Sequence, residues 1–425
     1  MKEVSAPARR LGEALLAFAV AWVLLGFSSP AARDAAAGPG ARFDVDEAEY
    51  LAMGVASTAQ LFGETDAAAG EARDPWRGGI HATTFGFQSP GLPKLLFGLV
   101  ARSAGVRQID PAVFPRFIPK ELSKGEFKAR RLAAKAQLEP ALDPAREVTR
   151  LLAAAIAALL FAAAHRIAST WHRPTLAGTL AALLWLASPA ALEASHHVRP
   201  GLLPILFWCA MLVCALAAPL RAKPLALGLL LGLATAGKLN GALAAPLIPL
   251  FLYLAGARGA KLAAATALAA ALSIAVFLLF APGLWHDPIG GISQILHLWR
   301  GDLAHQASLY GADVHVPTNR LEALWVALLG LAKHAGPLAG VVPFAGAALA
   351  LFGAATLIRG ARHSAADRVA LAWCLVLIVA SGLILPLDRL RYLTPLTAPA
   401  ALLAGLFLAR LTAPRHTPEA GQSAP

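Results

Sequence analysis

The sequence contains few charged residues and few cysteines. Only 15% of the residues are Asp, Glu, Lys or Arg, whereas 57% are hydrophobic and the mean hydropathy is +0.60. An ordinary soluble domain has about a quarter of its residues charged, so the composition excludes that class and indicates a membrane protein. The three cysteines, Cys209, Cys214 and Cys374, all lie inside apolar runs. This placement excludes a disulfide framework and a CxxC metal site.

Long apolar runs dominated by alanine and leucine occupy most of the chain. Both residues favour helix, and the runs do not alternate as the strands of a barrel would. A helix needs roughly 20 apolar residues to cross a bilayer. The predicted spans lie at residues 11–28, 148–165, 175–192, 202–219, 225–237, 242–256, 262–281, 338–358, 369–386 and 394–411. We therefore predict one integral membrane domain over residues 1–425, an all-α bundle of about 10 to 11 transmembrane helices.

Positive charge predominates, with 37 Lys and Arg against 25 Asp and Glu and a formal net charge of +12. These cations lie mostly between the apolar runs, which is typical of topology signals and contacts with lipid headgroups rather than of nucleic-acid binding. With the N-terminus inside, the short outer loops hold only Arg199, Lys238, Arg389 and Arg391. The positive-inside rule therefore predicts a multi-pass plasma-membrane protein with both termini in the cytoplasm.

Two long segments are predicted on the outer side. The first covers residues 29–147 and contains an amphipathic run at 91–105, followed by a charged insert. We interpret this run as a helix on the membrane surface, because a span there would turn a basic loop near Arg166 outward. The second segment covers residues 282–337. Within it, residues 321–334 form either another surface helix or a further span.

An acidic pair, Asp46-Glu47, follows the first apolar run and precedes Tyr50. Carboxylates near a membrane with limited hydration can accept a proton from a hydroxyl group, so Asp46 is a candidate general base. The alternative is that both are solvated loop acids without a catalytic role.

The acidic pair is the first of several short motifs that occur in a characteristic order. The others are Gln88-Ser89-Pro90-Gly91-Leu92-Pro93-Lys94, Arg150 at the start of the second span, His197-Val198-Arg199-Pro200, Gly232 to Lys238, Leu284-Trp285-His286-Asp287-Pro288-Ile289-Gly290, and Arg391-Tyr392-Leu393-Thr394-Pro395. Together they resemble the GT-C fold membrane glycosyltransferases, and among these the protein O-mannosyltransferases and aminoarabinose transferases of glycosyltransferase family 39 type. The resemblance extends from residue 11 to residue 411.

The resemblance implies transfer of a sugar from a polyprenyl-phosphate carrier to a hydroxyl acceptor at the outer face, with inversion at the anomeric carbon. The expected partners are this donor, an acceptor on protein, lipid or glycan, and the membrane lipids, with no nucleic acid. Asp46 would be the base, and Glu47 would orient or coordinate. The expected residues for binding substrate or phosphate are Lys94, Arg199, Lys238, Arg391, Tyr50, Trp285 and Asp287.

The motifs do not decide whether the protein binds a divalent metal, and they indicate no other cofactor. Its candidate ligands are Asp46, His196, His197 and His286, although adjacent histidines are not a ligand signature. In addition, Gly201 stands where the family often has an acidic residue.

Two other functions compete with transfer. A transporter or lipid flippase would usually show internal repeats with broken helices at matching places, and no such repeat is visible in this sequence. A catalytically inactive GT-C-like scaffold is the second alternative, and Gly201 favours it.

Overall fold

The computed structural model describes residues 6–27, 47–62, 91–108, 123–171, 173–281, 284, 289–293, 317–384 and 390–412. Every regular element within these ranges is helical, which confirms the predicted all-α class. The helices of the first half are α1 (Ala6–Phe27), α2 (Glu47–Leu61), α3 (Gly91–Ser103), α4 (Lys124–Ala136), α5 (Glu139–Ile167), α6 (Pro174–Leu186), α7 (Pro189–His196) and α8 (Leu202–Ala217). Those of the second half are α9 (Lys223–Gly237), α10 (Leu247–Leu254), α11 (Gly259–Leu279), α12 (Arg320–Gly330), α13 (Ala345–Gly360), α14 (Ala365–Leu383) and α15 (Leu390–Leu411).

Four of these helices are long and apolar enough to cross a membrane, namely α5, α11, α14 and most of α15. A fifth candidate is the pair α6 and α7, which is bent by 68° at a short break. Shorter apolar helices lie at Leu11–Gly26, Leu202–Ala217, Lys223–Gly237, Leu239–Leu254 and Ala345–Gly360. The described residues therefore support a polytopic helical protein, and the count of 10 to 11 spans stays a prediction.

Several predicted spans have different bounds in the structure. The run 175–192 is not one straight helix, because α6 ends at Leu186 and α7 begins at Pro189. Proline lacks an amide N–H and favours the first turn of a helix, so a new helix starts there. The run 148–165 belongs to the longer helix α5, and the helix predicted at 338–358 begins only at Ala345, after a turn with positive φ at Leu338 and Phe344.

The run 242–256 is also interrupted. A 3-10 helix (Leu239–Ala244) precedes α10, and Pro246 lies between them. The surface run 91–105 matches α3, so its helical conformation is confirmed. Residues 321–334 form α12 and one π-helical turn (Leu331–Ala335), and their relation to the bilayer remains a prediction.

The main core lies between the apolar helices and contains three fully buried tryptophans. The indole of Trp185 donates to the hydroxyl of Thr397 at 3.1 Å, and that of Trp208 donates to the carbonyl of Gly241 at 3.0 Å. Trp373 donates to the carbonyl of Trp208 at 2.9 Å. Because the bilayer interior offers no water, each buried N–H needs such a partner within the protein.

A second, smaller core joins α2, α3, α4 and the first part of α5. We call this group the outer helices, because the topology prediction places it outside. The helices α2 and α3 cross at Gly54 and Gly98, where a Cβ atom on either residue would clash with the backbone of the other helix. Only glycine permits this close approach. The crossing fixes the first turn of α2, and with it Glu47, relative to α3.

Candidate active site

Glu47 is the first residue of α2 and is completely buried. Its carboxylate accepts two hydrogen bonds from the guanidinium of Arg146 on α5, with Nε to Oε1 at 2.9 Å and Nη2 to Oε2 at 2.7 Å. The Arg146 side chain is only 5% exposed. Charged groups are buried in this way when they are paired, and the bidentate geometry gives the pair a fixed orientation.

Glu47 also holds the chain segment that follows α7. Its Oε1 accepts a hydrogen bond from the backbone N–H of Val198 at 2.9 Å, and Nδ1 of His197 lies 3.7 Å from the same oxygen. The carboxylate therefore ties three separate segments together, the start of α2, the helix α5 and the non-helical segment at 197–199. Glu47 is a positioning residue in this arrangement.

A second arginine holds the same turn of α2. Glu49 is 3% exposed, and its Oε1 lies 3.4 Å from Nη2 of Arg131 on α4. The next residue, Tyr50, is half-buried and packs against the core of the outer helices. Carboxylates in the first turn are further stabilised by the positive end of the helix dipole. The first turn of α2 is therefore fixed from two sides.

Arginine and histidine side chains lie at the Glu47 carboxylate and at the neighbouring end of α7. Arg146 and His197 contact the carboxylate, and the buried imidazole of His196 ends α7 within electrostatic range of Arg146 and Arg150. Nearby in the chain, Nη1 of Arg199 donates to Oε1 of Glu193 at 2.8 Å. This pair links the last turn of α7 to the segment that Glu47 holds. Arg146 and Arg199 are thus each paired with a carboxylate, Glu47 and Glu193 respectively, next to the buried imidazole of His196.

Arg150 has a separate acidic partner on its own helix. Its Nη1 lies 2.7 Å from Oε2 of Glu147, one turn earlier on α5. The other oxygen of Glu147 accepts a hydrogen bond from the indole N–H of Trp22 on α1. This arrangement connects α1, the first predicted span, to the edge of the site.

The other predicted phosphate ligands lie at the ends of helices α3, α9 and α15. Lys94 is in the first turn of α3, is 3% exposed, and belongs to a helix that packs against α2 and α5. Lys238 directly follows α9, a helix that packs against α3 and α8. The guanidinium of Arg391 at the start of α15 lies 4.9 Å from the centre of the Tyr392 ring and donates to its hydroxyl at 3.2 Å.

Several predicted site residues lie outside the described ranges, namely Asp46, Trp285, His286 and Asp287. Asp46 is bonded directly to Glu47. For the metal hypothesis, the described ranges contain no group of three or more His, Cys, Asp or Glu side chains that could hold an ion. His196 and His197 are described, and His197 faces the Glu47 carboxylate.

The sequence analysis did not identify Arg146 or Glu193 as site residues. Arg146 stands four residues before Arg150, so both lie on the same face of a helix. An arginine four residues before Arg150, in a helix that leads into an apolar run, is the sequence signal that could have identified Arg146 as a site residue. Glu193 has no comparable signal, because its pairing with Arg199 depends on the path of the non-helical residues 197–201 that follow α7.

No protein-family model matches the sequence, and no curated protein matches it significantly. Among solved structures, the fold is similar to the crystal structure of ArnT from Cupriavidus metallidurans bound to undecaprenyl phosphate, with a TM-score of 0.49 and 18% sequence identity. The match covers 96% of this chain and 61% of the ArnT chain, so this chain spans about three fifths of that protein's length.

Proposed function

We propose that this chain is a glycosyltransferase that moves a sugar from a polyprenyl-phosphate carrier to a hydroxyl acceptor at the outer membrane face. The observation that carries the proposal is the buried contact of Glu47 with Arg146 and the Val198 N–H. This contact fixes the chain directly after Asp46, beside a group of cationic side chains.

The placement of this ion pair favours a functional site over a purely structural one. Taking two charges out of water usually costs more than their attraction returns, so a buried pair is a weak device for stability. Ionisable groups at membrane depth or at its surface are accordingly concentrated at sites of function. A rigid neighbour is also what a general base needs, because proton transfer depends on a fixed distance to the acceptor.

The proposed reaction is a single displacement. The acceptor hydroxyl forms a bond to the anomeric carbon of the sugar, the bond from this carbon to the phosphate oxygen breaks, and the hydroxyl proton passes to Asp46. The polyprenyl phosphate leaves as an anion, so it needs cationic partners more than a general acid. Lys94, Arg199, Lys238 and Arg391 are the proposed partners, because Lys and Arg bind phosphate oxygens well. Attack opposite the leaving group inverts the configuration.

The remaining proposed contacts concern the sugar and the membrane. Tyr50 and Trp285 offer aromatic faces to a sugar ring, and Asp287 offers hydrogen bonds to its hydroxyls. If a divalent metal takes part, Asp46, His196, His197 and His286 are the proposed ligands. The site faces outward in the predicted topology, with both chain termini in the cytoplasm.

The test is sugar transfer by purified protein reconstituted in lipid vesicles. A set of radiolabelled polyprenyl-phosphate sugars is offered as donors, with total membrane extract as the source of acceptors. We expect label to move into an acid-stable product with the wild-type protein and not with the Asp46→Asn variant. Asp44→Asn is the matched control, because it removes the same charge two residues away and should retain transfer.

Two outcomes would contradict the proposal. Full transfer by Asp46→Asn would remove the base from the mechanism. No transfer from any donor, despite correctly folded protein, would favour the transporter or the inactive scaffold. A flux assay with fluorescent lipid phosphates in the same vesicles separates these two, because only a flippase would move the lipid between leaflets.

A further inference from the structure

Glu147 bridges α1 and α5 at the edge of the candidate site. Its Oε1 accepts the indole N–H of Trp22, and its Oε2 lies 2.7 Å from Nη1 of Arg150. We call this group of Trp22, Glu147 and Arg150 the Glu147 bridge. None of its three side chains has a role in the transfer step described above.

The Glu147 bridge and Arg166 lie at opposite ends of the uncharged stretch of α5. The following residues of α5, from Leu151 to Ala164, contain no charged side chain. At about 1.5 Å per residue, Glu147 is about 28 Å from Arg166 along the helix axis, which is close to the ~30 Å thickness of the hydrocarbon layer. If Arg166 is at the cytoplasmic surface, as the topology prediction requires, the bridge lies at the level of the outer headgroups.

The bridge connects the lipid-facing side of the bundle to the interior of the site. Trp22 is 43% exposed and its neighbour Val23 is 49% exposed, so this part of α1 faces outward. Exposure falls from 36% at the Glu147 side chain to 17% at Arg150. The charge of Arg150 in turn acts on the buried imidazole of His196. Glu147 therefore contacts both the outward-facing part of α1 and the more buried Arg150.

We propose that the Glu147 bridge is the lateral access site for the lipid phosphate of the sugar donor, and that this phosphate replaces Glu147 on Arg150. Carboxylate and phosphate oxygens are alternative partners for the same guanidinium edge. In the structure the Glu147 carboxylate occupies the Nη1 edge of the Arg150 guanidinium that the phosphate would take over. The polyprenyl chain stays in the bilayer beside α1 while the headgroup enters. This inference rests on the proposed function.

The test is equilibrium binding of undecaprenyl phosphate to full-length protein in phosphatidylcholine nanodiscs. Glu147→Gln removes the competing charge, so we expect its Kd to fall about threefold to fivefold, as the loss of a partly exposed ion pair would allow. Arg150→Gln removes the phosphate partner and should raise the Kd at least about tenfold. Asp143→Asn is the matched control, because it removes an exposed carboxylate one turn earlier on the same helix, and its Kd should equal that of the wild type.

A second variant, Trp22→Phe, tests the same inference if Glu147→Gln does not fold. Trp22→Phe keeps an aromatic ring on α1 and removes only the N–H that holds Glu147, so it should also tighten binding, by a smaller factor. Phosphatidylglycerol in excess should not displace the probe from the wild-type protein, and equal competition would overturn the assignment to the carrier lipid.

The assay distinguishes failure of this inference from failure of the proposed function. If the wild-type protein binds no undecaprenyl phosphate, both are overturned. If it binds the lipid but Glu147→Gln and Trp22→Phe bind with unchanged or weaker affinity, the access site is overturned and the transferase proposal stands.

Discussion

Replacing Arg146 by methionine should destabilise the fold by about 3–5 kcal/mol, the usual result of removing one partner of a buried ion pair. The Glu47 carboxylate is 0% exposed, the Arg146 side chain is 5% exposed, and the two hydrogen bonds between them are 2.9 and 2.7 Å long. Without Arg146, the carboxylate would lose both bonds of the bidentate pair and would keep the Val198 N–H and the more distant His197 among its neighbours. These do not replace a guanidinium in direct contact, because desolvation of the remaining carboxylate is the larger effect.

The double variant Glu47→Gln/Arg146→Met should be considerably more stable than Arg146→Met alone. A neutral amide at position 47 can still accept the Val198 N–H, and no uncompensated charge remains. Because the two residues are in direct contact, we expect a coupling energy of about 2–3 kcal/mol in the double-mutant cycle. The same double variant should have lost sugar transfer, since its first turn of α2 is no longer held by α5.

The assay is reversible unfolding in mixed micelles, titrated with sodium dodecyl sulfate and followed by tryptophan fluorescence. Arg199→Met is the control, because its ion pair with Glu193 has side chains that are 15% and 29% exposed. A pair exposed to this degree contributes about 1 kcal/mol or less. If Arg146→Met lowers the free energy of unfolding by no more than Arg199→Met does, the buried pair does not fix the site and our reasoning is refuted.

Three other predictions concern packing and helix capping. Gly98→Leu should lower the yield of folded protein, measured by size-exclusion chromatography, and the rate of sugar transfer, because the leucine side chain would clash with the backbone of α2. Gly12→Leu is the control and should leave both quantities unchanged, because a Cβ atom at Gly12 meets nothing within 4 Å. Trp185→Phe removes a hydrogen bond to a threonine of α15 and should lower the free energy of unfolding by about 1–3 kcal/mol in the same micelle titration. Hydrogen bonds from Ser123 lower the pKa of the Glu126 carboxyl. The stability that this carboxylate gives to the cap of α4 is therefore fully present at pH values above its ordinary pKa, and it is lost as the pH falls through the lowered pKa. The protection factors of the α4 amides, which are the intrinsic exchange rates at each pH divided by the observed rates, should therefore fall in acid. Equal protection factors at neutral pH and at a pH below the lowered pKa would contradict this.

The positions of the helices could be predicted largely from the sequence, because an apolar run long enough to span a membrane can satisfy its backbone hydrogen bonds only as a helix or in a closed barrel. The run 148–165 is an example, since it lies within α5 (Glu139–Ile167). Helix breaks were harder to predict. In the run 175–192 the composition stays apolar through the bend, and only Pro189 marks the point where the second helix starts. Average hydropathy cannot register a change of direction within an apolar segment.

The arrangement of the site was only partly predictable. The sequence indicated Glu47 as a member of an acidic pair, but its partner Arg146 is 99 positions away and is one of many cations in a charged segment. The pairing depends on how α2 crosses α3 and on where α5 begins, which are properties of the packed helices. The backbone contact with Val198 is still less predictable, because any residue except proline would supply the same N–H.

The most direct test of the central claim is the initial rate of sugar transfer by the wild-type protein and by Asp46→Asn, measured in vesicles over a range of donor concentrations. The account predicts that kcat falls by about 100-fold or more, the usual contribution of a general base, while the KM for the donor changes little. An unchanged kcat would contradict the assignment of Asp46 as the base and, with it, the role of Glu47 in positioning that base.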